Sequence, residues 1–448
     1  MKILHYSLGF PPYRSGGLTK FCMDLMSMQV KTGHSVSLLW PGEIRIKKNT
    51  KICKRRSVNG IGSYEVINPV YVSYDEGIKQ TGLFMAEGDY DCYRKFLERF
   101  HPDVIHIHTL MGLHKNLLVA AKQIGIRIVF TAHDFFPICS KVTLFRDGQI
   151  CNSVEDCRKC FLCNATALPI WKLHILHHPI YRIMKNSIIV KKIRKRHRDA
   201  YLSGNNEYAI NNVLIGDETH QDDYIALRNH YKSMLLLVSK IHYNSRLTRS
   251  IYEKYFGIFD AVTIPISHLD IKDCRKRKKF AGDVLRLTYL GPSGEGKGFS
   301  LLKMALDKLA EERDDFCLNI FFEMDNKPSY VIEHDRYTYS QLEDIFDSTD
   351  VLLSLSVWYE TFGYTVVEAL SYGVPVIVTK NVGARDVIPD GAGIIVDDIS
   401  VEGIKHAVES ITEARLCEMN RVILDARPMM GMHEMEHRIY EELYKEKL

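Results

Sequence analysis

Apolar and polar positions along this chain follow two alternating patterns. Short runs dense in β-branched residues are separated by longer stretches whose apolar positions recur every three to four residues, the signature of strand–helix units around parallel sheets. Near the N-terminus KILHYSL predicts a strand. A loop with Pro11, Pro12, Gly16 and Gly17 follows, LTKFCMDLMSMQVKTG predicts a helix closed at Gly33, and SVSLLWPG predicts the next strand. PDVIHIHTL and IRIVFTAHD repeat the unit around LLVAAKQIG, a helix-like run closed by Gly125. A second block opens with the strand-like LRLTYLG, the Gly-rich GPSGEGKG and the helix-like FSLLKMALDKLAEE. CLNIFFE, DVLLSLS and PVIVT then predict strands, interleaved with helices from YSQLEDIFDST and GYTVVEALSYG.

Two Rossmann-like, doubly wound α/β domains facing a central cleft are therefore expected, with the hinge near 270–284, where CRKRKKFAGD is charge-dense and polar. The stretch from Asn164 to Asp270 is weakly periodic and is expected to add helices to the first domain. Its length of 448 residues, with 46% apolar and 25% charged residues, fits two or three globular domains and excludes a disordered or fibrous chain. Net charge is 59 − 55 = +4, which gives no reason to expect nucleic acid as a partner. No run approaches the ~18 apolar residues of a membrane span, and the N-terminal segment does not read as a signal peptide. Eleven cysteines, odd in number and mostly scattered, point to a reducing, cytoplasmic setting.

Ligands of doubly wound sheets bind outside the carboxyl ends of the strands, so the loops just after strands carry the candidate chemistry. Glu360 follows one strand and precedes a helix that contains Glu368. Between them Thr361, Phe362, Gly363 and Tyr364 offer amides at the positive end of that helix. Phosphate on those amides, with both carboxylates accepting from hydroxyls, suits a nucleotide-activated sugar. Gly291, Gly294, Gly296 and Gly298 surround Lys297 between a strand and a helix, a cradle for a diphosphate. The spacing falls short of a P-loop, because Gly298 stands where a magnesium-ligating Ser or Thr is required. Gly16 and Gly17 permit close backbone approach, and His133 and Asp134 follow a strand and are expected at the cleft. His106, His108 and the HILHH run at 174–178 read as core or surface residues.

Taken together, the Gly16-Gly17 loop, the HxH strand with His133-Asp134, the Lys297-Gly298 pair, and Glu360-Thr-Phe-Gly363 with Glu368 and GVPVIVT resemble the family-4 retaining glycosyltransferases of GT-B fold. The resemblance implies that residues 1–270 form an acceptor-side domain, with a Cys-rich and helical insertion over about 139–240. It makes 284–425 the donor-binding domain and 426–448 a helix crossing back to the first domain. It further implies His133, Lys297 and Glu360 as catalytic residues, with Glu360 on the donor sugar, Glu368 on the ribose and Lys297 on the diphosphate. Gly16, Gly17, Gly296, Gly298, Thr361, Phe362, Gly363 and Tyr364 would complete the donor site, and Asp134 would lie on the acceptor side. Where the family commonly has Arg after the strand-ending glycine, this chain has Pro292; Arg385, after a later strand, is a candidate substitute. The implied reaction is retaining transfer from a nucleoside-diphosphate sugar to a glycan or lipid-linked glycan, without a catalytic cofactor, in surface polysaccharide biosynthesis. The alternatives are a P-loop-like nucleotide hydrolase and a catalytically silent carbohydrate-binding relative.

Two clusters stand apart from this chemistry. Cys139, Cys151, Cys157 and Cys160, with Cys163 as a spare, are spaced for a structural zinc site, with an iron–sulfur cluster, redox thiols or free cysteines as the other readings. WKLHILHHPIYRIMKNSIIVKKIRKRHRDAY interleaves apolar residues with Lys185, Lys191, Lys192, Arg194, Lys195, Arg196 and Arg198, a composition suited to an anionic membrane surface at the inner face or to a solvated helix.

Overall fold

The computed structural model describes residues 1–445 apart from 46–48, 74–76, 153–157, 185–186, 188–189, 191, 193–220, 281 and 283. The first sheet starts with β1 (Lys2–Tyr6), β2 (Ser35–Pro41), β3 (Lys51–Val58) and β4 (Ile61–Ile67), and continues with β5 (Val104–Ile107) and β6 (Arg127–Ala132). A small hairpin, β7 (Phe145–Arg146) and β8 (Gln149–Ile150), stands apart, and β9 (Lys240–Tyr243) and β10 (Ala261–Thr263) return to the sheet. Its eight strands run in the order β10-β9-β6-β5-β1-β2-β4-β3. All pairs are parallel except β3 with β4. The second sheet comprises β11 (Leu285–Tyr289), β12 (Phe316–Ile320), β13 (Val331–Glu333), β14 (Val351–Ser354), β15 (Val376–Thr379) and β16 (Gly393–Val396). It is wholly parallel, in the order β13-β12-β11-β14-β15-β16.

Local chemistry explains these elements. β14 and β15, VLLS and VIVT, are central strands covered on both faces, and every residue in them is buried. The helix Gly17–Lys31 buries Phe21, Cys22, Leu25 and Met26 on one stripe against the first sheet, and Gly125 ends the helix Lys115–Ile124 in the left-handed conformation. The sheets order as two doubly wound layers, as expected, but the stretch from Asn164 to Asp270 is not helices alone. It also contributes β9 and β10, which extend the first sheet beyond β6. Strands of four and three residues are too short to show period-two alternation, so the pattern did not reveal them. The pair β3–β4 was equally silent: KICKRRSV is a charged edge strand, mostly exposed.

After the second sheet the chain returns across the first. The helix Met432–Ile439 packs on the helix Gly17–Lys31. The wider turn Tyr440–Tyr444 that follows places the Tyr444 hydroxyl 3.0 Å from Gln29 Nε2 and 2.7 Å from His106 Nδ1. Arg127 Nε donates to the Leu443 carbonyl at 2.9 Å. No helix among the described residues is long and apolar enough to cross a membrane.

Candidate active site

The Gly-rich loop leaves β11, makes the short turn Glu295–Lys297 and enters the helix Phe299–Ala310. It is stapled to the segment after β14. The Gly296 carbonyl accepts from the amides of Val357 at 2.9 Å and Trp358 at 3.2 Å. A Cβ on Gly296 would lie 2.2 Å from the Trp358 ring, and one on Gly298, at φ +80°, would lie 1.9 Å from the Leu355 carbonyl oxygen. Only glycine fits both positions. Gly298→Ala is therefore expected to destabilise the fold by about 1–3 kcal/mol in urea unfolding, whereas Gly294→Ala, at φ −67° with open space around it, leaves the midpoint unchanged. Beneath the loop the buried Tyr289 hydroxyl donates to the carbonyls of Pro292 at 2.9 Å and Lys297 at 3.1 Å.

This stapling brings Lys297 Nζ to 2.7 Å from Glu360 Oε1, while Ser356 Oγ donates to Glu360 Oε2. Burial alone would raise the Glu360 carboxyl, but the Lys297 charge and the two hydrogen bonds together hold it below the usual carboxylate range. Lys297 also sits over the Trp358 ring, 5.6 Å from its centroid. The Glu360 backbone pairs with the loop after β15, donating to Asn381 and accepting from Gly383, both at 2.9 Å. Gly363, at φ +107°, then starts the helix Tyr364–Ser371. The amides of Thr361, Phe362, Gly363 and Tyr364 donate to no other described residue.

The same segment docks on the first sheet. Thr361 Oγ1 donates to the His133 carbonyl at 3.0 Å, and the Thr361 carbonyl accepts from Ser245 Oγ at 2.6 Å and Thr248 Oγ1 at 3.1 Å. A methyl group on Gly17 would meet the Tyr364 ring at 3.7 Å, so the Gly16-Gly17 loop directly faces the Glu360 helix. Lys20, one turn later, bridges Asp24 at 2.9 Å and Asp270 at 2.7 Å. Asp134 gives Oδ1 to the Phe136 amide at 3.0 Å, and burial pushes its carboxyl up to about 6. Glu368 is almost wholly buried, with Oε1 at 3.0 Å from His268 Nε2. Its Oε2 has no partner among the described residues. Two further polar atoms at these loops, Tyr364 OH and Arg14 Nε, are buried with no hydrogen-bond partner among the described residues. Burial keeps the Tyr364 phenol protonated by raising its pKa well above the ordinary value.

The structure thus gathers His133, Asp134, Lys297, Glu360, Thr361 to Tyr364, Glu368 and the Gly16-Gly17 loop around one crevice. Sequence reasoning missed Ser356, Trp358, His268 and Arg14: the contacts of the first three arise from the fold, and no motif marks any of the four. Arg385 donates to the Lys380 carbonyl. Cys157 lies outside the described residues, as do Lys185, Lys191, Arg194, Lys195, Arg196 and Arg198. Cys139, Cys151, Cys160 and Cys163 are half-buried, and among the described residues no three of them converge within 4.8 Å. Burial pushes the Cys139 thiol up to about 11. The hairpin β7–β8 reaches the segment after β14: Phe145 stacks edge-on to Trp358 at 6.0 Å.

Comparison with known proteins bears on the family and the fold. Residues 15–153 match the model of Glycosyltransferase Family 4, and residues 331–426 that of Glycosyl transferases group 1. An uncharacterized 42.6 kDa protein in the cps region of Klebsiella pneumoniae is 22% identical over 405 residues, 86% of each chain. Among solved structures, sucrose-phosphate synthase from Thermosynechococcus elongatus superposes with a TM-score of 0.56 at 12% identity, covering 99% of both chains. Anabaena HepE, in complex with UDP and glucose, gives 0.54 at 13% identity over 99% of both chains. The α,α-trehalose-phosphate synthase (UDP-forming) from Burkholderia xenovorans, in complex with glucose-6-phosphate, gives 0.56 at 11%, covering 99% and 100%. With segments of both halves matched by glycosyltransferase family models, and two Rossmann-like sheets whose loops meet where Thr361 contacts His133, Ser245 and Thr248, the chain belongs to the family-4-type glycosyltransferases of GT-B fold.

Proposed function

We propose that the protein transfers a sugar from a nucleoside-diphosphate sugar to a hydroxyl of a glycan or lipid-linked glycan, with retention at the anomeric carbon. The observation that carries the reading is the Lys297–Glu360 pair at the mouth of the glycine loop, beside four undirected amides. As the bond to the diphosphate breaks, the sugar becomes cationic and the leaving group gains negative charge. Lys297 and the Thr361 to Tyr364 amides are then preorganised donors for that charge, where another enzyme would use a metal. Glu360, kept ionised, accepts from sugar hydroxyls, and Glu368 Oε2 remains for the ribose. Tyr364 OH and Arg14 Nε, buried donors without partners, fit a site completed by ligand. The ligands named for HepE and the trehalose-phosphate synthase, UDP with glucose and glucose-6-phosphate, support the donor and acceptor classes.

The proposed place in surface polysaccharide biosynthesis rests on the family resemblance. A lipid-linked acceptor is favoured by the outward apolar side chains Trp171, Ile175, Ile180 and Met184, which directly precede the Lys- and Arg-rich segment. Incubation with a panel of nucleotide sugars in EDTA is the test. One of them is expected to raise the unfolding temperature and to be consumed without added magnesium. Magnesium-dependent hydrolysis of nucleoside triphosphates, with no nucleotide sugar turned over, would overturn the reading.

A further inference from the structure

The core of the first sheet holds a continuous hydrogen-bonded chain of histidines that no step above uses. β1 and β5 place His5 opposite His106, His108 lies two residues on, and β6 and β9 place Thr131 opposite His242. His5, His106, His108 and His242 are fully buried, and His133 forms the cleft end. The contacts run without a gap. His242 Nε2 meets the Ile264 carbonyl at 2.7 Å, and His242 Nδ1 meets Thr131 Oγ1 at 3.0 Å. Thr131 Oγ1 meets His106 Nε2 at 2.6 Å, and His106 Nδ1 meets Tyr444 OH at 2.7 Å. Tyr444 OH meets Gln29 Nε2 at 3.0 Å, and Gln29 Oε1 meets His5 Nε2 at 2.7 Å. His5 Nδ1 meets His108 Nε2 at 2.9 Å, and His108 Nδ1 meets His133 Nε2 at 3.3 Å.

One group sets the direction of all these bonds. A carbonyl can only accept, so His242 carries its proton on Nε2 and its Nδ1 accepts from the Thr131 hydroxyl. With that proton committed, Thr131 oxygen accepts from His106 Nε2–H, and His106 Nδ1 accepts from Tyr444. Tyr444 oxygen accepts from the Gln29 amide, whose carbonyl accepts from His5 Nε2–H. His5 Nδ1 accepts from His108 Nε2–H, and His108 Nδ1 accepts from His133 Nε2–H. Every neutral imidazole thus uses one donor and one acceptor. His133 Nδ1 is left as a lone pair with no partner among the described residues. Although His5, His106 and His108 bring ligand atoms within 4.8 Å of one another, their lone pairs are all engaged, which argues against a cation there.

We propose that the Ile264 carbonyl and Thr131, acting through this chain, hold His133 as the Nε2–H tautomer, so that Nδ1 faces the crevice as an acceptor for a hydroxyl of the transferred sugar. The identity of that hydroxyl rests on the proposed function; the tautomer does not. Thr131, Tyr444, Gln29, His5 and His108 are positioning residues, and Tyr444 makes the C-terminal turn part of the device. Thr131 is the decisive member: without its hydroxyl His106 can carry its proton on Nδ1, and once the Gln29 amide flips, so that Oε1 accepts from Tyr444 and Nε2 donates to His5, every later bond runs in the opposite direction. His133 would then present an N–H where the sugar requires an acceptor.

Long-range ¹H–¹⁵N NMR of the full-length protein, with His133 assigned by its loss in His133→Asn, reads the tautomer directly. The wild type is expected to show Nε2–H at His133 at pH 7. Thr131→Val is expected to shift His133 to Nδ1–H or to a mixture and to lower kcat on the order of tenfold, with acceptor KM little changed. Thr131→Ser restores both readouts. Should Thr131→Val fail to fold, Tyr444→Phe breaks the same chain and is expected to give the mixed tautomer. Nδ1–H or imidazolium at His133 in the wild type would overturn the proposal, as would Nε2–H retained in these variants or a stoichiometric metal on the cluster. Nε2–H at His133 without turnover of any nucleotide sugar would count against the proposed function alone.

Discussion

Lys297→Ala is expected to lower kcat for sugar transfer by about 10²- to 10³-fold in a donor-saturated assay, with acceptor KM little changed. The effect is electrostatic. In the proposed reaction Lys297 brings the full positive charge beside the diphosphate, and it contacts Glu360 at 2.7 Å, where the two side chains keep only 24% and 20% of their surface. The attraction therefore acts in a medium less polar than water. Removing the lysine also leaves Glu360 half-buried with Ser356 as its one remaining hydrogen-bond donor. Its carboxyl then moves up from its present depressed position, and sugar recognition suffers together with charge stabilisation. The stability loss is expected to be smaller, about 1–2 kcal/mol, because residual solvent screens the pair. A large loss of turnover with near-normal unfolding places the lysine in catalysis. Unchanged turnover removes it.

Acidification is expected to cost the fold on the order of 5 kcal/mol between pH 7.5 and 5.5. Burial is the main cause holding the cluster imidazoles neutral: His5 and His242 are lowered to about 4, His133 to about 3, and His106 and His108 well below their ordinary value. The unfolded chain takes up protons near pH 6.5 while the folded cluster refuses them. Stability is thus complete above about 6.5 and falls with pH until the folded values near 3–4 are reached. Each site removes about 1.4 kcal/mol per pH unit in that window, and five sites act together. His114, lowered to about 4, adds in the same direction. Asp134 opposes them: its folded value of about 6 lies above the unfolded one, so the native state is favoured by protonation as pH falls between about 6 and 4. One site does not offset five. Urea midpoints at pH 7.5, 6.5 and 5.5 check this, and a flat profile would refute neutral burial of the cluster.

What could be read from the chain follows from which interactions are local. KILHYSL, IRIVFTAHD, DVLLSLS and PVIVT became β1, β6, β14 and β15 because central strands of a parallel sheet are continuous apolar runs. β9 and β10 were hidden because KIHY takes its strand character from β6, across more than a hundred residues, and AVT in turn from β9. Glu360, Lys297 and the glycines were legible because they stand in short loops between a strand and a helix, where local spacing itself marks them. His268 was not, since what it does depends on Glu368, 100 residues away, and Ser356, only four residues before Glu360, was missed because its contact depends on the fold of the irregular segment after β14. His106 and His108 read as core histidines, and they are buried; their alignment with His5, Gln29 and Tyr444 is a product of register and of the C-terminal return.

In the proposed function Lys297 grips the diphosphate while Glu360 grips the sugar, and titration calorimetry separates the two. Binding of a nucleoside diphosphate and of its sugar conjugate is measured for the wild type, Lys297→Ala and Glu360→Gln. Lys297→Ala is expected to weaken both ligands by about tenfold or more, whereas Glu360→Gln weakens only the sugar conjugate. Glu360→Gln weakening both ligands equally, or Lys297→Ala weakening neither, would contradict it.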